Sequence, residues 1–204
     1  MSVWQFFDKG GICMWPILFC SIVMLAIFGE RLWRMSRVRL AGDDLPQRVA
    51  RALAEGQPQQ ALGEALSDPG PVGRVLHAAA QVNPKDRETL ETVLIDAQQN
   101  EVRHLERYLS TLAAIGNLAP LLGLLGTVLG MIKAFMVIQE MGGKVNAVVL
   151  AGGIWEAMLT TAFGLIVAVP DMAAHSYLAG RVDRFHDLLE ARVVSFIKAL
   201  NGGA

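Results

Sequence analysis

Residues Gly152 to Pro170 form a run of apolar, small and hydroxyl-bearing residues that contains one ionisable group, Glu156. The run is long enough to cross a bilayer, which takes roughly 20 mostly apolar residues. An ionisable side chain at membrane depth costs at least about 2.5–3.5 kcal/mol, and such groups face a bundle interior or a water-filled path. Glu156 therefore points away from soluble-enzyme folds and towards a helical membrane protein that moves ions. Two further apolar stretches, Ile12 to Phe28 and Leu112 to Ile138, can also span, and the third widens to Val145–Val169. Only 18% of the chain is charged, against about a quarter in soluble domains.

Several function classes are excluded by what accompanies these stretches. A net charge of −1 leaves no global basic surface for nucleic acid. Cys13 and Cys20 sit seven apart on one expected helix, about 10 Å between Cα atoms, too far for a disulfide. No zinc, phosphate-loop or hydrolase motif is visible, so neither enzyme chemistry nor a metal or cofactor is expected. The first span is expected to be retained: Lys9 is the only base before it, Glu30-Arg31-Leu32-Trp33-Arg34 follows directly, and no small-x-small cleavage site separates them.

Lys and Arg set the expected topology. They crowd the segment between spans one and two, from Arg31 to Arg107, and the tail after span three, with Arg181, Arg184, Arg192 and Lys198. The N-terminus has only Lys9, and the loop between spans two and three only Lys144. The expected order is an outer N-terminus at 1–11 and span one at 12–30, with Trp4 and Trp33 at the two interfaces. A cytoplasmic helical segment occupies 31–111. Span two at 112–140, an outer loop at 141–146, span three at 147–170 and a cytoplasmic C-terminal helix at 171–204 complete it. The fold class is thus an all-α integral membrane protein whose second and third spans extend into long cytoplasmic helices.

Within the middle segment, Asp43-Asp44-Leu45-Pro46 reads as a helix start, Gly56-Gln57-Pro58 as a loop and Asp68-Pro69-Gly70-Pro71 as a break. Asn83-Pro84-Lys85-Asp86-Arg87-Glu88 reads as a second start, capped by Asn83. From there Leu90, Leu94, Ala97, Glu101, Leu105 and Leu109 recur at helical spacing, and no breaker precedes Gly116, so one long helix is expected to enter span two. Phe185, Leu188, Leu189, Arg192, Val193, Phe196 and Leu200 give the tail a similar stripe. Either stripe can pack within the subunit or between subunits.

Gly116, Gly123 and Gly130 recur every seven residues along span two and share a small-residue face with Pro120, Thr127 and Ala134. Gly126 lies beside that face. In lipid, small faces let helix backbones approach closely. Span three has a matching face at Ala157, Thr161, Gly164 and Ala168, with Glu156 turned about 100° away towards Thr160 and Phe163. The hydroxyls of Thr127 and Thr161 can line a polar path without adding charge. Equal counting outwards from the Gly142-Gly143-Lys144 loop sets Lys133 opposite Trp155 and Glu156. Lys133 either pairs with Glu156 or snorkels to the headgroups. Asp171 and His175, four apart at the end of span three, read as a surface ion pair at the membrane edge or as a proton exit relay.

Four sets of motifs carry a resemblance. They are Pro120-Leu121-Leu122-Gly123-Leu124-Leu125-Gly126-Thr127-Val128-Leu129-Gly130-Met131, Glu156 to Leu165 with Val169-Pro170, Gly180-Arg181-Val182-Asp183-Arg184-Phe185, and Gly10 to Ile17 with Glu30-Arg31-Leu32. The chain resembles the MotA/TolQ/ExbB proton-channel family, closest to its ExbB and TolQ branch. The resemblance implies a homopentamer of three-span subunits in the bacterial inner membrane, N-terminus periplasmic. A dimer of a single-span ExbD- or TolR-like partner would sit in the central pore and supply the aspartate that takes up and releases protons. Thr127 and Thr161 would be pore-lining hydroxyls and Glu156 the buried acid of span three. Proton flow would energise a TonB- or TolA-like protein. Lys133 and Asp171 stand outside the family pattern. The alternatives are a flagellar-type stator subunit, whose four-span layout is absent, and a non-conducting membrane scaffold.

Overall fold

The computed structural model describes residues 11–38, 42, 44–84, 86–140 and 147–202, with backbone alone over 147–150. The expected outer loop at 141–146, with Lys144, lies outside the described residues, as do Trp4, Lys9, Gly10, Arg39, Asp43 and Lys85. The described residues form seven helices: α1 (Met14–Arg37), α2 (Leu45–Ala54), α3 (Pro58–Leu66), α4 (Pro71–Ala80), α5 (Arg87–Glu106), α6 (Leu109–Glu140) and α7 (Ala147–Gly202). Three helical runs are long and apolar enough to cross a membrane: Met14–Arg37, Arg87–Glu140 and the part of α7 from Ala151 onwards. In hydrocarbon every backbone polar group must be satisfied internally, which restricts spanning segments to helices or closed barrels.

The chain divides into two compact units, 1–30 with 108–177, and 31–107 with 178–204. The first holds most of α1, all of α6 and the first half of α7. Its packed surface is narrow. On α6 the buried positions are Leu109, Leu112, Ile115, Gly116, Ala119, Gly123, Gly126, Gly130 and Ala134. On α7 they are Ala157, Thr160, Gly164, Val167, Ala168, Asp171 and Ala174. Large apolar side chains such as Phe19, Leu25, Leu121, Leu124, Leu165 and Ile166 stay exposed, the pattern of helices that face lipid or further helices.

In the second unit α2, α3 and α4 begin at the expected punctuation. Pro stands in the first turn of each, where its missing N–H forfeits nothing. Gly56 takes φ 72° between α2 and α3, and the Asp68 carboxylate accepts from the Gly70 and Gly73 amides at 2.9 and 3.3 Å in the break before α4. Val49, Ala50, Ala61, Ala65, Val75, Ala79, Leu94, Leu189 and Phe196 are nearly or fully buried. Arg48 pairs with Glu64, and Arg74 grips Glu101 with Nε and Nη2 at 2.7 and 2.6 Å.

Several sequence expectations change here. The long helix expected to enter span two has the expected extent, Arg87–Glu140, but is interrupted at Arg107 and Tyr108, where Tyr108 takes φ 69°. That left-handed conformation is unfavourable for a bulky residue and carries no composition signal. The cap of α5 is Asp86 rather than Asn83, with Asp86 Oδ1 accepting from the Thr89 amide at 3.2 Å and Oδ2 from the Thr89 hydroxyl at 2.7 Å. The α5 stripe also includes Gln98, which is buried and lies 3.5 Å from His186 Nε2, in place of Ala97. Leu188 of the tail stripe is exposed, while Phe185, Leu189, Val193 and Phe196 are buried.

Candidate functional site: the α6–α7 seam

Helices α6 and α7 run antiparallel in the first unit, and glycine sets their separation. A side-chain carbon built on Gly130 would meet Ala157 Cβ at 3.0 Å, and one on Gly123 would meet the Thr160 carbonyl oxygen and Thr161 Cα at 3.0 Å each. One on Gly164 would meet the Ala119 carbonyl oxygen at 2.6 Å, and one on Gly116 would meet Asp171 Oδ2 at 2.8 Å. Gly126 lies against the Thr160 side chain. All five expected packing glycines, Gly116, Gly123, Gly126, Gly130 and Gly164, thus line one seam.

Hydroxyls punctuate that seam. Thr161 Oγ1 donates to the Gly123 carbonyl across the interface at 3.0 Å. Thr160, 1% exposed, donates to the Ala157 carbonyl at 2.7 Å and lies 3.5 Å from the Gly123 carbonyl. Thr127 Oγ1 donates to the Leu124 carbonyl of its own helix at 2.6 Å. The buried hydroxyl is therefore Thr160, which sequence reasoning assigned to the Glu156 side. The signal for it was present: from Ala157, steps of three and four pass through Thr160, Gly164, Val167 and Asp171, as coherent a stripe as the one through Thr161.

Lys133 Nζ lies 3.5 Å from Glu156 Oε2, with Lys133 largely exposed and Glu156 mostly covered. They border a cavity of about 230 Å³ with Gly11, Cys13, Gly126 and Gly130. Gly11 takes φ 69°, and a side-chain carbon there would sit 2.8 Å from Glu156 Oε1. Gly11, just before α1, thus sits against the Glu156 carboxylate in a backbone conformation that residues with a side chain rarely adopt.

At 100° per residue, these groups fall on two edges of the seam. Lys133 and Glu156 turn to the α1 side, where the cavity lies. Thr127 and Thr161 turn to the opposite edge. The structure therefore brings Lys133 to Glu156 and Thr161 to α6, but it does not bring Glu156 to the two threonines.

Asp171 departs most from expectation. It is 0% exposed, and among the described residues neither carboxylate oxygen has a hydrogen-bond partner. The surface ion pair expected with His175 is thus replaced by a carboxyl enclosed in the seam against Gly116, with Cys20 of α1 close enough to interact electrostatically. His175 is half-buried one turn on. The seam accepts Asp171 because Gly116 leaves the space a side chain would fill. Among the described residues no cluster of His, Cys, Asp and Glu fits a metal ion.

Comparison with known proteins bears on this arrangement. A family model described as the MotA/TolQ/ExbB proton channel family matches residues 67–191, which hold α4 to α6, the glycine seam, Glu156 and Asp171. The chain is 32% identical to biopolymer transport protein exbB1 of Vibrio cholerae, over 93% of this chain and 84% of that protein. It is 34% identical to a putative ExbB-like protein of Synechocystis, over 80% of this chain and 65% of that one. The Tol-Pal system protein TolQ of Haemophilus influenzae is 38% identical over 43% of this chain and 38% of its own length.

Proposed function

Because the chain belongs to the MotA/TolQ/ExbB proton channel family, on its ExbB- and TolQ-like side, we propose that it is the proton-conducting stator subunit of an inner-membrane energy-transducing complex. It spans the inner membrane three times, N-terminus in the periplasm and the 31–111 segment and tail in the cytoplasm, as the Lys and Arg distribution favours. Five copies surround a dimer of a single-span ExbD- or TolR-like partner, whose membrane aspartate takes up and releases protons. The motion this drives is passed to a TonB- or TolA-like protein that works on the outer membrane.

The observation that carries this reading is the position of Glu156. It is a mostly covered carboxylate in an otherwise apolar span, opening on a cavity and partnered by a lysine of the neighbouring helix. A scaffold needs the glycines but has no use for a charge at that depth. Thr127 and Thr161, on the edge away from α1, are the hydroxyls this reading turns to the ring's pore. Glu156 acts from the other edge, coupling the Lys133 side of the seam to the path.

The test is proton flux in vesicles holding this chain with its cognate single-span partner, comparing wild type with Thr161→Val and Glu156→Gln. Thr161→Val keeps the side chain's shape and removes one cross-helix hydrogen bond, a loss averaging about 0.6 kcal/mol in membrane proteins, so the variant should assemble. The reading requires flux that depends on the partner and collapses in Thr161→Val. An assembled wild-type complex that passes no protons under any partner engagement would leave the scaffold as the better account.

A further inference from the structure

Asp171 is, with Glu156, one of two covered acids among the described residues of the first unit, and nothing in the proposed conduction path uses it. Its seat is built. Gly116 provides the space, Met172 flanks it, and Cys20 of α1 lies within electrostatic range. The carboxyl is fully enclosed, and among the described residues neither oxygen receives a hydrogen bond of normal geometry, the Gly116 backbone beside it interacting only weakly.

Among the described residues Asp171 forms no ion pair with the charged groups of the surrounding helices. On α6 the ionisable side chains are Lys133 and Glu140, and Lys133 is 17 residues from Gly116, about 26 Å along the helix. On α1 they are Cys20, Glu30, Arg31, Arg34 and Arg37; Cys20 is within electrostatic range of the carboxyl, while Arg31 is 11 residues further along the helix, about 16 Å, and donates to the His104 carbonyl. On α7, Glu156 is 15 residues away, about 22 Å, and beyond His175 come Tyr177 and Arg181, six and ten residues from Asp171, about 9 and 15 Å. His175 acts electrostatically on Asp171 from one turn away, about 6 Å of rise. An ionised carboxylate sealed from water without an ion pair or a well-formed hydrogen bond is strongly disfavoured and neutralises instead.

We infer that Asp171 is a proton-binding site of the three-helix unit, separate from Glu156 and the threonines, and that His175 is the group through which it exchanges its proton. In the packed seam the carboxyl carries a proton. On release the Asp171 O–H breaks and an N–H forms on His175, directly after a rotamer change or through one water. This leaves a carboxylate beside an imidazolium, which passes the proton on to solvent. An imidazole can make both transfers because either ring nitrogen accepts or donates. The carboxylate then needs water or the imidazolium beside it, so release also loosens the contact at Gly116 and links proton occupancy to α6–α7 packing. The site stands on burial and geometry alone, whether or not the ring conducts.

Infrared difference spectroscopy on the full chain, assembled with its partner in lipid vesicles at neutral pH, tests this. Wild type should show a protonated-carboxyl C=O band that Asp171→Asn removes. Should that variant fail to assemble, labelling wild type with carbon-13 aspartate must shift the same band. His175→Gln should keep the band but slow its exchange into deuterated water about a hundredfold, the low end of what a positioned proton-transfer group contributes. A spectrum in which neither Asp171→Asn nor the aspartate label alters a protonated-carboxyl band overturns the site. An unchanged exchange rate in His175→Gln overturns the exchange route. Loss of flux in wild type with the band intact counts against the stator reading alone.

Discussion

Gly164→Ala should weaken the α6–α7 seam by an amount the structure defines. The added carbon would lie 2.6 Å from the Ala119 carbonyl oxygen and 3.2 Å from Gly123 Cα, whereas ordinary contact begins at 3.4 Å. Both obstacles are backbone, so relief needs a helix displacement of about 0.8 Å, the difference between 3.4 and 2.6 Å. Overpacking of this kind costs about 1–3 kcal/mol, and the rigid neighbours place this site near the upper end. Replacing glycine by alanine in a helix returns up to about 1 kcal/mol. The net loss is therefore about 1–2 kcal/mol. Gly152→Ala is the control, since nothing lies within 4 Å of a carbon built there. It should be neutral or gain up to about 1 kcal/mol. The two variants should differ by roughly 2–3 kcal/mol, on the order of 100-fold in the unfolding constant. Reversible unfolding in bicelles measures the gap, and proton flux should fall in parallel because Thr161 bonds across the same contact. Equal stability of the two variants would refute the argument that backbone contact at Gly164 sets the helix separation.

Other outcomes rest on single contacts. A double-mutant cycle on Lys133→Met and Glu156→Gln should give a coupling of about 0.5–3 kcal/mol, the range for groups in contact; strictly additive effects would mean the 3.5 Å pair carries no energy. Arg74→Met should destabilise the second unit more than Glu101→Gln in thermal melts, because it strands a Glu101 carboxylate that is only 12% exposed. The Thr89 hydroxyl and amide hold the Asp86 carboxyl below its ordinary 3.8, so its contribution is complete above that pH and is lost as pH falls through the lower folded value. Asp86→Asn keeps a capping oxygen and should flatten that part of the pH dependence of Tm; an unchanged acid limb would remove Asp86 as its source.

The amino-acid order by itself determined the features that composition and period dictate. Three long apolar runs can cross hydrocarbon only as helices or a closed barrel. Pro46, Pro58 and Pro71 begin helices because they lack the N–H that a helix interior needs. Glycines at a seven-residue spacing stay on one face, so the α6 side of the seam was legible from Gly116, Gly123 and Gly130. The counting that set Lys133 opposite Glu156 needed only the rise per residue. Other features depended on the partner helix. Thr160 and Thr161 differ by one 100° step, and both continue a small-residue stripe. Contact with Gly123 and Gly126 decides which is enclosed. Asp171 after Pro170 has the look of a span ending in water; the absent side chain of Gly116, on another helix, lets a carboxyl be buried there instead. The interruption at Tyr108 and the burial of Gln98 beside His186 likewise have no local signal. Period and composition act along one helix, whereas enclosure is a property of two surfaces meeting. Tertiary structure alone decided which polar groups lie in the seam and which face out of it.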